Sequence, residues 1–528
     1  MNLRRYATSE IYTPYILKSN DPAGKLKSFR SGISNLRTRY IRLQNPAMAS
    51  LAARKSMAYI KDEVEYYKHQ VDGVRTMARM KSFILADQMG LGKSLEALTV
   101  FAVDVVLGWS QTCIIVCPAS LKENWAEEIR TFTYDIPYFI VSGTYNQRVR
   151  QIIDFMATDG PKFLIVNYEQ VDSHLNELNI VGFDIAIFDE AHYIKGHKSK
   201  RTKACHNLIS RRNFMLTGTP LLNHVNELWS LLHKVDPNSF PKYWKFVNEF
   251  CVFGGFEGRQ IIGVKNEKKL KEILAKYMVR RLKKDVLDLP EVQIIERKVK
   301  LNPKQRELYD KIEEEFQIQM ADGTMSDFEY DIVRATRLRQ VVGTTLPFNG
   351  EDDSAKLDLA VQDDCELLDN GEKTVTFTRM RPVHECYVRR LQKELPTVPV
   401  WVITGDVAPE LRKPTVDAWA AHKGPSALVC MSQVAGQGLN MTAAKHGAFL
   451  DKDFVPGMNW QAIDRLNRIG ASLTQPIQMR DYLAVATVDT RLQSILGLKT
   501  KLSTNVLTFD SNWRRKIAAA MHEEEVAA

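Results

Sequence analysis

The sequence predicts an α/β fold of two domains, each a parallel sheet covered by helices, with a helical insertion between them. Three observations predict it. Short, unbroken apolar runs recur in two blocks of the 528-residue chain, helix-like patterns lie between the runs, and one stretch near the middle breaks the rhythm. A strand buried on both faces has no polar side, so it reads as continuous apolar sequence and not as alternation. Parallel neighbours need a crossover long enough to hold a helix.

The first block, residues 61–235, carries the runs "FILA" (83–86), "CIIVC" (113–117), "FLIVN" (163–167), "DIAIFD" (184–189) and "NFML" (213–216). "SLEALTVFAVDVV" and "SLKENWAEEIRTF" read as helices between them. Residues 236–300 read as a helical insertion and connector, with "FPKYWKFVNEFCVFGG" aromatic and helical and "KKLKEILAKYMVRRLKKDVLDLP" an amphipathic basic helix ending at Pro290. The second block, 301–510, opens with a helix at "NPKQRELYDKIEEEFQIQM". Its strands follow at "TVTFT", "VPVWVITG", "ALVCMS", "GAFLD" and "QMRDYLAV". Residues 511–528 read as a C-terminal tail whose end, "MHEEEVAA", is frayed. Residues 1–60 hold eleven Lys or Arg and two acids and form a basic accessory segment, for which a solvated face and a nucleic-acid contact are equally good readings.

Hydrophobic residues are 45% of the chain and charged residues 26%, which fits a globular protein with a sizeable core and excludes a disordered one. A net charge of +9 is compatible with a polyanionic partner without requiring one. Seven cysteines include no C-x-x-C pair, so neither a zinc site nor a disulfide framework is expected, and a reducing compartment is. No apolar run is long enough to span a bilayer, and the first residues lack a secretory signal pattern. An intracellular location is expected, cytoplasmic in a bacterial or phage-infected cell and nuclear in a eukaryote.

"LADQMGLGKSLEALTV" (85–100) matches a phosphate-binding loop except at its start, where Asp87 stands in place of the first glycine. It follows a strand and opens a helix, where backbone N–H groups and the helix dipole attract phosphate oxygens. Gly90 and Gly92 allow close approach, Lys93 offers a positive charge to the terminal phosphates, and Ser94 offers a hydroxyl to Mg²⁺. "DIAIFDEAH" ends a second strand with Asp189 and Glu190. The first can hold Mg²⁺ through water, and the second can orient or deprotonate the attacking water. In "NWQAIDRLNRIG", Arg465 and Arg468 are three apart, which on a helix gives them one face and a pair of guanidinium forks for a phosphoryl group.

Together these stretches resemble the helicase superfamily 2 ATPases, and within them the SWI/SNF-type DNA translocases, a group that includes chromatin remodellers and fork-remodelling annealing helicases. The family's loop reads "DEMGLGKT", so Asp87 is an expected variant. Other stretches agree: "YYKHQVDGVRTM", "IIVCPASLKENWAEEI", "FLIVNYEQV", "MLTGTPLLNHVNELWSLL", "TVTFTR", "VAGQGLNMTAA", and "YMVRRLKKDVLDLPEVQIIERKVKLNPKQRELYDKI", the most family-specific segment. The resemblance implies two RecA-like lobes. It implies a nucleotide site drawn from Gln70 as base contact with Asp87, Met89, Gly90, Leu91, Gly92, Lys93, Ser94 and Gly438. Coupling would pass through Thr217, Gly218 and Thr219. Ser120, Tyr168, Thr378, Arg379, Gln433, Gly436 and Asn440 are candidate contacts to a DNA backbone, each with a satisfied turn or core contact as the equally good alternative. Gln88, Asn467 and Ala471 depart from the family's usual glutamate, histidine and glutamine.

The function implied is a DNA-dependent ATPase, using ATP and Mg²⁺, that moves as a monomer on double-stranded DNA, forked or branched, in replication, recombination or repair. A strand-separating DNA or RNA helicase is an alternative, and so is a non-enzymatic clamp on a motor fold. No histone-reading motif is visible, and a bacterial or phage origin fits the size better than a nucleosome remodeller does.

Overall fold

The computed structural model describes residues 59–221, 224–254, 260–287, 291–321, 327–435, 439–468 and 476–507. The basic N-terminal segment apart from Tyr59 and Ile60, the tail, Gly436, Gly438 and Ala471 lie outside the described residues. The described chain divides into two compact units, the first of residues 59–88 and 92–281 and the second of residues 282–507 together with 89–91.

Among the described residues the first unit contains nine strands: β1 (Ser82–Leu85), β2 (Thr112–Cys117), β3 (Tyr138–Ile140), β4 (Lys162–Asn167), β5 (Phe183–Asp189), β6 (Ser210–Leu216), β7 (Cys251–Gly254), β8 (Gln260–Val264) and β9 (Met278–Val279). Seven form one sheet in the order β3-β4-β2-β5-β6-β1-β9, and every pairing in it is parallel. All six residues of β2 and all four of β1 are buried, which is why these strands read as unbroken apolar runs. Leu85, Ile115, Ile165, Ile187 and Phe214 pack into one core with Leu98 and Phe101 from the helix Lys93–Val106 and Trp125 and Ile129 from the helix Lys122–Phe132. Each such side chain contributes about 1.5–3 kcal/mol by leaving water.

The second unit contains β10 (Gln293–Val299), β11 (Lys373–Thr378), β12 (Val400–Ile403), β13 (Ser426–Met431), β14 (His446–Phe449) and β15 (Gln478–Ala484), in the order β10-β15-β14-β11-β13-β12, again all parallel. Alternate residues of one strand serve opposite cores. Leu428 and Cys430 pack with Phe377 and Trp419, whereas Ala427 and Val429 pack with Leu357 and Tyr387. A strand with period-two side chains and a core on each side must be apolar throughout.

The two-domain α/β expectation is met, and each of the ten expected strand runs overlaps an observed strand. The segment 236–300 differs from its helical reading. It holds the helices Tyr243–Phe250 and Glu267–Tyr277, but also the antiparallel pair β7–β8, β9 and β10. The basic helix stops at Tyr277 and not at Pro290, because Met278 and Val279 are buried beside β1, pairing with Ile84 and Leu85. The N–H of Ala86 donates to the Val279 carbonyl at 2.7 Å, a bond that a continuing helix would not leave free. Among the described residues no helix is long and apolar enough to cross a membrane.

Candidate nucleotide site

Register decides what meets at the edge of the first sheet. Leu85 at the end of β1 pairs with Leu216 at the end of β6, and Leu216 pairs with Asp189 at the end of β5. The segments that follow these three strands therefore leave the sheet side by side: Ala86–Gly92, Thr217–Thr219, and Asp189–Glu190. The Thr217 N–H donates to the Leu85 carbonyl at 3.1 Å, and the Thr219 N–H to the Thr217 hydroxyl at 3.1 Å, which fixes the middle segment. A crevice at the carboxyl ends of parallel strands is where such sheets bind ligands.

The phosphate loop has left-handed backbone at Gly90 (φ 80°) and Gly92 (φ 84°), a conformation cheap only for glycine. Gly92 caps the helix Lys93–Val106, and a Cβ there would lie 2.2 Å from the Gln70 Nε2. Gln70 is buried, its Oε1 accepts the Tyr67 N–H at 3.0 Å, and its amide thus lies against the loop. Lys93 Nζ donates to the Asp87 carbonyl at 2.8 Å and to that of Gln88 at 3.3 Å. Met89, Gly90 and Ser94 are partly exposed, and Leu91 is buried.

Asp87, the residue that breaks the common loop pattern, is fully buried. Its Oδ1 accepts the backbone N–H of Arg281 at 2.8 Å, and its Oδ2 accepts Arg281 Nε at 2.7 Å. Arg281 also donates to Glu96 at 3.0 Å. Burial pushes the Glu96 carboxyl up to about 8, against the pull of Arg281, and the Asp87 charge adds to the rise.

Asp189 accepts the Trp125 indole N–H at 2.9 Å on Oδ2 and the Glu190 N–H at 2.9 Å on Oδ1. Burial and then the Glu190 charge push its carboxyl up to about 6, while the Trp125 bond and the Lys93 ammonium pull it down. Glu190 is left-handed (φ 49°, ψ 50°), a conformation that costs a non-glycine residue about 1–2 kcal/mol. Backbone held in such a region turns the side chain away from the strand direction, a pattern that clusters at functional sites. His192 Nδ1 lies 3.3 Å from Glu190 Oε2. Two crowded carboxylates and the Ser94 hydroxyl are hard oxygen donors that suit Mg²⁺, and the crowding itself favours a cation.

Ser120 lies on the short turn Ala119–Leu121 after β2, its hydroxyl buried and without a hydrogen-bond partner. Tyr168 and Thr378 differ from their reading as contacts to a nucleic-acid backbone. Tyr168 is fully buried and its hydroxyl donates to the Asp189 carbonyl at 2.6 Å. Thr378 is fully buried and bonded to Asp451. A buried, bonded hydroxyl has nothing to offer a phosphate. Both brace strand ends.

In the second unit, Thr378 of β11 is in register with Met431 of β13, so Arg379 and Gln433 follow neighbouring strand ends. Arg379 forms an ion pair with Asp453 at 3.0 Å, and Gln433 and Asn440 are exposed. Arg465 is buried in the helix Pro456–Leu466, but Arg468 lies beyond its end, so the two do not share a helix face. Asn467 closes the helix with ψ 79°, consistent with the poor fit of asparagine in helix interiors. Arg468 Nη1 donates to the Leu439 carbonyl at 3.4 Å, and Lys283 Nζ to Asp464 at 2.6 Å. The sequence reading missed Arg281 and the role of Trp125. A buried indole needs an acceptor, and that need was the available signal for Trp125.

Two family profiles match the chain: the SNF2-related domain over residues 68–344, more than half the chain, and the helicase conserved C-terminal domain over 360–470. The chain is 26% identical to an uncharacterized ATP-dependent helicase, MG018, of Mycoplasma genitalium over 87% of its own length and 43% of that protein's. It is 26% identical to the ISWI chromatin-remodeling complex ATPase ISW1 of Saccharomyces cerevisiae over 79% of itself and 38% of that protein. It thus spans less than half the length of these relatives. Among solved structures, the Sulfolobus solfataricus SWI2/SNF2 ATPase core in complex with dsDNA matches with 23% identity and a TM-score of 0.40, covering 84% of this chain and 93% of that one.

Proposed function

Because the chain belongs to the SNF2-related family, we propose that it hydrolyses ATP in order to move along double-stranded DNA, remodelling forked, branched or annealing structures or displacing bound proteins. The observation that supports this best is the common register ending β1, β6 and β5, which lines up Lys93, Thr217 and the Asp189–Glu190 pair at one edge.

In this reading Gly90 and Gly92 admit the triphosphate to the helix N-terminus, and Gln70 takes the base. Lys93 exchanges its loop carbonyls for phosphate oxygens. Ser94 and Asp189 hold Mg²⁺, which offsets charge on the triphosphate when bound. Glu190 accepts the proton of a water whose oxygen bonds to the γ-phosphorus as the bond to the bridging oxygen breaks, giving ADP and phosphate. Arg465 and Arg468 neutralise charge on the transferred group, and Thr217, Gly218 and Thr219 relay the change. Ser120, Arg379, Gln433, Gly436 and Asn440 offer polar groups to DNA phosphates, a grip that carries no sequence information. The reading takes the motor to be a monomer inside a cell.

The test compares ATPase rates with duplex, single-stranded and forked DNA and with RNA, alongside displacement of a third strand from a triplex. Stimulation by duplex with triplex displacement and no unwinding is expected. Stronger stimulation by single strands with unwinding would instead identify a strand-separating helicase, and no nucleotide turnover under any condition a clamp.

A further inference from the structure

Asp87 and Arg281 are 194 positions apart, and neither is among the groups assigned above to Mg²⁺, to the attacking water or to the transferred phosphoryl group. Yet Arg281 bonds to the loop itself and to the two helices on either side of its sequence, at His69 and at Glu96. Its backbone N–H and Nε both donate to the Asp87 carboxylate, and its carbonyl accepts the Gln88 N–H at 3.0 Å. Its guanidinium donates to the His69 carbonyl, next to Gln70, and to Glu96 on the helix that the loop opens. Residue 73, on the helix carrying His69 and Gln70, is a glycine that leaves room for the Glu96 and Arg281 side chains. A Cβ there would lie 1.6 Å from Glu96 Oε2 and 2.8 Å from Arg281 Nη2.

We propose that Arg281 is a positioning residue for ATP, locking the phosphate loop to the Gln70 helix through the Asp87 carboxylate. The loop lacks its first glycine because that place is an anchor: a carboxylate here gives the loop a fixed front edge, and Arg281 fills both of its oxygens, Oδ1 with the backbone N–H and Oδ2 with Nε and Nη2 of the guanidinium. Lysine has the charge but not the fork: its single ammonium has to replace the three guanidinium nitrogens that donate to Asp87, His69 and Glu96. This inference rests on the ATPase reading.

The experiment measures kcat and KM for ATP with saturating duplex DNA in Arg281→Lys, Asp87→Asn and the double variant, with Lys93→Ala in parallel. Arg281→Lys, which keeps the charge and favours folding, is expected to raise KM for ATP about tenfold or more, with a smaller change in kcat and unchanged DNA affinity. The double variant should be no worse than the more affected single one, because both remove one connection. A merely structural role would lower the melting temperature of the nucleotide-free protein while leaving KM as in the parent. That result, or additive losses in the double variant, overturns the inference. Undiminished turnover in Lys93→Ala would overturn the ATPase reading instead, whatever Arg281→Lys does.

Discussion

The carboxyl edges of the two sheets are built from similar strands and put to different use. At the edge of the first sheet, Asp189 and Glu190 are adjacent, Glu190 is held in a strained left-handed conformation, and Asp189 is pushed up to about 6 by burial and its neighbour. At the edge of the second, Asp451 is also buried and also raised, but it is enclosed by the Thr378 hydroxyl, the Arg379 N–H at 2.9 Å and Arg339 at 3.6 Å. The first edge crowds like charges around Lys93, whereas the second encloses its carboxylate within the unit. Crowded charge with strain is suited to a ligand, and enclosed charge is suited to holding strands in place.

The largest expected effect comes from the first edge. Lys93→Ala or Glu190→Gln should lower ATP turnover by at least about 10³-fold, beyond the loss of a single oxyanion donor, while duplex DNA affinity measured by fluorescence anisotropy stays within about threefold. Turnover near the parental rate in either variant would erase the distinction between the edges. Next in size is Thr378→Val at the second edge, which leaves Asp451 short of a donor. A loss of about 1–3 kcal/mol in denaturant unfolding is expected, with kcat for the remaining folded protein close to the parent's. A selective loss of DNA-stimulated turnover without loss of stability would make Thr378 a coupling residue and move the second edge into the working machinery.

The smallest effect on turnover concerns pH. Glu96 is raised from 4.5 to about 8 in the folded chain, chiefly by burial. The unfolded chain releases this proton at lower pH than the folded one. Glu96 therefore favours folding fully below about pH 4.5, and that contribution is lost as pH rises toward about 8. Urea midpoints at about pH 5.5 and 8 should differ less in Glu96→Gln than in the parent. An equal pH slope in both would mean that Arg281 keeps Glu96 ionised throughout.

Much of this was legible in the sequence, because the signals were local. A strand between two cores must be apolar over consecutive residues, so β1, β2, β4, β5 and β6 could be read off directly. A phosphate loop between strand and helix and an acidic pair at a strand end are also local, and the fold brings Lys93, Asp189 and Glu190 to one edge. What was not legible depends on partners far away in the chain. β9 has two residues and no pattern of its own; only the exposed edge of β1 makes Met278 and Val279 a strand and ends the helix before them. The hydroxyls of Tyr168 and Thr378 could have faced a phosphate or a neighbouring strand end, and burial chose the second.

The sequence by itself determined the two α/β units, the order of the strands along the chain and the chemical groups available, because apolar runs and turn chemistry act over a few residues. Only the tertiary structure decided that Asp87 meets Arg281, that Trp125 holds Asp189 and that Arg468 falls beyond its helix. A hydrogen bond between residues that distant leaves no periodic trace, and which donor reaches which buried carboxylate is settled by packing.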